Sequence, residues 1–376
     1  MKKSGAAILE SKQHYALLDG LRGTAALTIV VFHFLEMVYS DYSKNFLGHG
    51  FLAVDFFFCL SGFVVGYAYD SRIRQISVWE FFKSRLIRLH PLVVLGSILG
   101  LLGFLFDPFG GNPELYSAGK IVLMFLCSIL LIPFPAIEER GFALFGFNSP
   151  SWSLFYEYIA NIVYAFILCR VRKSVLVILA VISAGWLCFT AFKAGTLIGG
   201  WDGKSAWDGM ARLSFSFLAG LLVYRFNLII KTSLGFVGLS ALLICPFVMP
   251  YFTWNWLAES LVVLFYFPLI ISLGAGANIA RKGMHKACLF FGKISYPLYM
   301  THIPVIWSFG HYYSANKPDT RQLFYIISIS TVFLVIMAYA IMVVYDIPVR
   351  RFLTNRRKKA LVSAGMREGK EAINNV

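Results

Sequence analysis

Charge is scarce in this chain. Asp, Glu, Lys and Arg together make up 14% of its 376 residues, where soluble domains carry roughly a quarter. With 58% apolar residues and a mean hydropathy of +0.70, the chain lacks the polar surface of a water-soluble protein, and no polar stretch is long enough for a separate soluble domain. Paired cysteines are lacking too. The six cysteines stand singly in apolar segments with no C-x-x-C and no metal-ligand spacing, so they read as small core hydrophobes, and no metal site is expected. No apolar h-region precedes Tyr15, so no cleaved signal peptide is expected, and neither an internal repeat nor a low-complexity segment is visible. Acidic residues are the scarcer sign, 19 against 34 basic ones. The surplus does not indicate a nucleic-acid partner, because the Lys and Arg fall in short clusters between apolar runs, where they set membrane topology.

What is abundant is apolar sequence in lengths near the ~20 residues that cross a ~30 Å hydrocarbon core. Runs fall near 16–38, 50–69, 89–106, 119–133, 152–169, 174–192, 208–224, 233–250, 257–276, 288–309 and 322–345. Eleven crossings would put the termini on opposite sides. Yet Lys2 and Lys3 at one end, and Arg350, Arg351, Arg356, Arg357, Lys358 and Lys359 at the other, both read as cytoplasmic. The weakest run is 119–133, short and closed by Pro133 and Pro135. Setting it aside as re-entrant or interfacial restores the parity and places the basic loops inside. The expected fold is all-α: a polytopic membrane helix bundle of about ten transmembrane helices plus one re-entrant or interfacial segment. Residues 1–356 form one integral membrane domain and 357–376 a basic polar cytoplasmic tail.

Ionisable groups inside apolar helices cost several kcal/mol, so each needs a partner, a wet cavity or a function. On the first run, Asp19 and Arg22 sit at the cytoplasmic mouth and His33 follows eleven residues after Arg22, about 16 Å along and about three turns on, hence on nearly the same face. His33 is either a packing residue or a general base. Asp55, flanked by aromatics before Ser61-Gly62, reads equally as an orienting partner for a His or Arg and as a buried hydrogen-bond acceptor. Lys83, Arg85 and Arg88 lie at helical spacing, where they either anchor the chain to anionic lipid or clamp a phosphate. Glu157 enters the bilayer below Trp152. His302, between Pro297 and Pro304, is a second catalytic group or a partner for a carbonyl freed by proline.

These residues sit in five segments: LDGLRGTAALTIVVFHF, VDFFFCLSGFVVG, FFKSRLIRLHPL, SWSLFYEY and GKISYPLYMTHIPV. In this order they resemble the acyltransferase-3 family of bacterial membrane acyltransferases across nearly the whole chain, and SWSLFYEYIAN looks closest to exopolysaccharide O-acetyltransferases. The resemblance implies that Arg22 and His33 are the first-helix pair, that Arg85 and Arg88 are the family's R-x-x-R, and that Glu157 is the acidic residue of its W-S-L-x-x-E. The family's last helix often ends in a Glu-Pro-like pair. Here Asp346-Ile347-Pro348 departs from it, and Asp346 is not counted among the site residues.

The expectation is an O-acyltransferase of the bacterial inner membrane, multi-pass, with both termini cytoplasmic. Acetyl-CoA would be the donor, its phosphates held by Arg22, Lys83, Arg85 and Arg88. His33, oriented by Asp55 or Glu157, would activate a hydroxyl of a polysaccharide or lipid-linked oligosaccharide, or carry the acyl group itself, with His302 as a further catalytic candidate. Membrane lipids are the other expected partners. The rival readings are a transporter or flippase of a glycan or acyl intermediate, since intramembrane ionisable groups also mark substrate paths, and a membrane scaffold without chemistry.

Overall fold

The computed structural model describes residues 14–359 apart from 74 and 280. The Lys2–Lys3 pair and the tail beyond Lys359, on which part of the topology reading rests, lie outside the described residues. Within them the regular structure is helical throughout. The helices are α1 (Ala16–Val38), α2 (Ala53–Tyr69), α3 (Val78–Leu105), α4 (Ala118–Leu130), α5 (Ser151–Val163), α6 (Lys173–Ala194), α7 (Ala206–Arg225), α8 (Phe236–Ile244), α9 (Asn255–Leu261), α10 (Phe267–Gly276), α11 (Lys282–Thr301), α12 (Ile303–Asn316) and α13 (Thr320–Ile341). Wider π turns extend α5 through Tyr164–Leu168, join α9 to α10 through Val262–Tyr266 and extend α13 through Met342–Asp346.

Among the described residues six stretches are long and apolar enough to cross a membrane: Ala16–Val38, Gly50–Tyr69, Val78–Leu105, Lys173–Ala194, Asn255–Gly276 and Thr320–Lys359. The all-α membrane bundle expected from hydropathy is therefore what forms. Its boundaries differ in two places. The third helix starts at Val78 rather than near 89, because the Ser77 hydroxyl accepts the Glu80 N–H at 3.1 Å and caps it; Arg85 and Arg88 thus sit inside a continuous helix. The apolar run 288–309 is not one helix but two, α11 and α12, parted at His302. Pro304 cannot donate to the carbonyl of Met300, and the Asn148 side-chain amide does so instead at 3.2 Å.

Close packing relies on small residues. A Cβ on Gly62 of α2 would strike the carbonyl of Phe217 on α7, and one on Gly220 of α7 would strike the carbonyl of Cys59 on α2, so the two backbones touch. Ser61, read with Gly62 as packing surface, instead donates to Glu157 at 3.1 Å.

Buried ion pairs pin the same two helices at both ends. At one end Arg225 bonds Asp70 at 2.7 Å, and Tyr164 donates to the same carboxylate at 2.6 Å. At the other, Arg212 grips Asp55 with Nε and Nη2, the shortest bond being 2.6 Å, and donates to the carbonyls of Gly199 at 2.8 Å and Phe51 at 3.0 Å. Both residues of this pair are fully buried, which is tolerable only because every donor of the fork meets an oxygen.

The 13-residue α4 behaves differently from its neighbours. Its far end reaches the middle of α3, where Ser128 and Ser97 share a 2.9 Å hydrogen bond. The chain then turns at Leu131, in the left-handed region at φ 54°, and runs back. Tyr116, just before α4, donates to Glu139 after it at 2.6 Å. The two flanks of α4 therefore meet.

Candidate active site

Two cavities open along the inside of α1. The first, ≈ 250 Å³, is lined by Arg22, Arg85, Arg88, Lys293 and Arg350 together with Glu157 and Asp346. Five basic groups face two acidic ones, so the space carries an uncompensated positive charge. Arg22 is held by Asp19 at 3.0 Å, by the Gly292 carbonyl at 2.5 Å and by the Ser295 hydroxyl at 2.9 Å. Arg85 is buried against Glu157 at 2.5 Å, and Arg350 pairs with Asp346. Arg88 and Lys293, both exposed to the cavity, form no side-chain hydrogen bond or ion pair with another described residue. They are the groups free to take an anion.

The second cavity, ≈ 180 Å³, holds His33, Glu36, Arg140, Arg212 and three tryptophans, Trp152, Trp201 and Trp307. The His33 Nδ1 lies 2.8 Å from Glu36 Oε2, and Tyr42 donates to the other carboxylate oxygen at 2.5 Å. An ionised carboxylate only accepts, so Nδ1 carries a proton, and in the neutral ring Nε2 is left with its lone pair. That tautomer is the one a general base requires. The Arg140 guanidinium stands 5.2 Å from the Trp307 ring and that of Arg212 stands 5.3 Å from Trp152, both within cation–π range. The Trp307 indole N–H is buried with no partner among the described residues.

The expected site residues divide between these spaces. Arg22, Arg85, Arg88 and Glu157 line the first cavity. His33 lies in the second, although it shares nearly the same face of α1 with Arg22. Glu157 does not orient His33; it neutralises Arg85, since α5 packs it beside α3 rather than beside the far end of α1. Asp55 does not orient His33 either and holds Arg212 instead. Lys83 is outside the cavity, paired with Glu80 at 3.1 Å and resting 5.4 Å from the Trp79 ring. His302 packs face to face with His33, ring centres 5.3 Å apart. Its Nδ1 donates to the carbonyls of Leu298 and Tyr299 at 3.1 and 2.9 Å, whereas the Met300 carbonyl freed by Pro304 is taken by Asn148.

Sequence reasoning missed Glu36, Arg212, Lys293 and Arg350, and it set aside Asp346, which lines the first cavity. Two signals were available: the His-x-x-Glu spacing of His33 and Glu36, which puts both on one helix face, and an arginine in the middle of an apolar helix at Arg212.

An all-helical membrane bundle in which a cationic cavity adjoins a carboxylate-oriented histidine has the parts of a membrane-embedded group-transfer enzyme. The acyltransferase-3 profile, an acyltransferase domain, matches residues 15–344, and the chain belongs to that family. By family it is a membrane acyltransferase. Protein 2 in the picA locus of Rhizobium radiobacter is 36% identical over 162 residues, 41% of this chain and 82% of that protein. The O-acetyltransferase OatA of Staphylococcus aureus is 26% identical over 327 residues, 79% of this chain. The chain spans about half the length of the OatA proteins it matches, 51%. No solved structure matches significantly.

Proposed function

We propose that the chain moves an acyl group, acetyl in the first instance, from acyl-CoA bound in the cationic cavity to a carbohydrate hydroxyl in the tryptophan-lined one. The observation that carries this reading is the division of labour between the two spaces. One offers unpaired cations, Arg88 and Lys293, beside the anchored Arg22 and Arg85. The other offers an imidazole whose Nε2 is kept as a base by Glu36.

CoA phosphates would take bidentate bonds from Arg88 and a point charge from Lys293, with the thioester directed toward Tyr299. A sugar hydroxyl in the second cavity would give its proton to His33 Nε2 as its oxygen attacks the thioester carbonyl. The new C–O bond forms, the C–S bond breaks, and the departing thiolate takes the proton back. The imidazolium that exists between these events faces the Glu36 carboxylate, which stabilises it. Tryptophan walls suit an acceptor with apolar C–H faces and a rim of hydroxyls, and the unpartnered Trp307 N–H is a donor for one of those hydroxyls.

The topology supports a direction. Asp70, Arg225 and Tyr164 share one end of the bundle, and Asp55, Arg212, His49 and Glu259 the other. Following the helices between those ends supports ten crossings, with α4 entering and leaving on the outer side, where Tyr116 meets Glu139. The Arg22 end is then cytoplasmic under the positive-inside rule, in the inner membrane, with both termini on that side. Purified protein given acetyl-CoA labelled in the acyl group and a polysaccharide acceptor tests the reading. Label on the polysaccharide is the expected result; passage of label across a vesicle membrane without transfer would assign the chain to transport.

A further inference from the structure

The two cavities meet at one side chain. Among the described residues Tyr299 alone lines both. It lies in the last turn of α11 and is 9% exposed. Its hydroxyl and that of Ser153 share a 2.8 Å bond, and its ring takes an edge-on contact from Phe57 at 5.6 Å and 77°. Its carbonyl accepts from His302. Ser153, the partner of that hydroxyl, lines the cationic space, and Trp152, the residue before it in α5, lines the tryptophan-lined one. Ring, hydroxyl and backbone are therefore each fixed where one space ends and the other begins.

We propose that Tyr299 is the partition that sets which acyl groups can be transferred. The inference rests on the acyl-transfer reading and adds its donor specificity. A thioester arriving from the cationic side must present its carbonyl carbon at the junction, because the hydroxyl it acylates comes from the other side. The acyl chain beyond that carbon then runs into the phenol ring. An acetyl group has one methyl to accommodate. Each further methylene has to enter space that Tyr299 occupies, and the packed ring does not swing aside without losing its Ser153 bond. The Ser153 bond holds the ring in place, while the ring itself supplies the bulk.

Three variants separate these contributions. Tyr299→Phe keeps the ring and loses the Ser153 bond, so the ratio of butyryl to acetyl transfer rises less than in the two variants that lose the ring. Tyr299→Leu and Tyr299→Ala shorten the obstruction in steps. The ratio of kcat/KM for butyryl-CoA over acetyl-CoA is expected to rise with each, by roughly tenfold for Ala, the gain from accommodating two more methylenes. CoA binding measured on the same detergent-purified preparations establishes that each variant is folded, and Tyr299→Leu, which keeps an apolar side chain in the gap, serves if Tyr299→Ala does not fold. A wild-type enzyme that transfers butyryl as well as acetyl overturns the partition. So does a folded, acetyl-transferring Leu or Ala variant with an unchanged ratio. Failure of the wild type to transfer acetyl from acetyl-CoA at all would instead remove the acyl-transfer reading on which the proposal stands.

Discussion

Replacing Glu36 by Gln leaves the shape of the His33 site nearly intact and alters which atoms can donate. In the wild type, Glu36 accepts from His33 Nδ1 at 2.8 Å and from the Tyr42 hydroxyl at 2.5 Å. A glutamine has one accepting oxygen and one donating nitrogen for the same two neighbours. If its oxygen stays with Tyr42, its nitrogen faces Nδ1, the ring proton moves to Nε2, and the base is lost. If the amide turns over, Nδ1 keeps its proton but Tyr42 loses its acceptor. In either arrangement the imidazolium formed during transfer no longer faces a negative charge. The lost charge-assisted bond alone is worth about 1.5–3 kcal/mol, or roughly ten- to a hundredfold in rate, and the tautomer change adds to it. Glu36→Gln is therefore expected to lower acetyl transfer by roughly 10²-fold or more at saturating acetyl-CoA, with CoA binding unchanged, because Glu36 does not line the cationic cavity. Adding Tyr42→Phe removes the competitor for the amide oxygen and is expected to restore part of the loss. Single-turnover transfer and CoA titration on the same three proteins, wild type included, decide the matter. Transfer by Glu36→Gln within threefold of the wild type would refute the assignment of Glu36 as the group that orients His33.

His33→Ala should cut transfer by roughly 10²–10⁴-fold and leave CoA affinity intact, as read by the same two assays. Arg88→Ala should weaken CoA binding by roughly ten- to a hundredfold with little effect on thermal stability, because Arg88 has no protein partner to strand; Arg85→Ala should lower stability as well, since it leaves Glu157 uncompensated, and thermal unfolding in detergent separates the two. Asp55→Ala should destabilise the bundle by about 3–5 kcal/mol, because Arg212 would be left as a buried unpaired charge, and denaturant unfolding measures it. Single cysteines at Glu114 and Glu138 should label from the same side of the membrane, given the Tyr116–Glu139 contact across the flanks of α4; labelling from opposite sides would make α4 a crossing.

The helices were legible in the sequence because hydropathy over some twenty residues is a local property, and a chain with so little charge has few other ways to bury its backbone polar groups in lipid. The family motifs were legible for the same reason, each being a short contiguous string that places Arg22, His33, Arg85, Arg88 and Glu157 on known helix positions. Even the His33–Glu36 pair was within reach, three residues apart on one face of α1. What sequence could not decide was the choice of partner for each buried charge. Asp55 and Arg212 are 157 residues apart, and Arg85 and Glu157 are 72 apart. In a low-dielectric interior a carboxylate takes whichever cation the packing brings within hydrogen-bond reach, and the glycines of α2 and α7 brought Arg212 to Asp55. The same packing set Tyr299 between two cavities where helical spacing alone allowed one continuous channel. Residue type and helix face follow from the chain itself, whereas the meeting of side chains from α1, α5, α7 and α11 depends on contacts that exist only once the helices have docked.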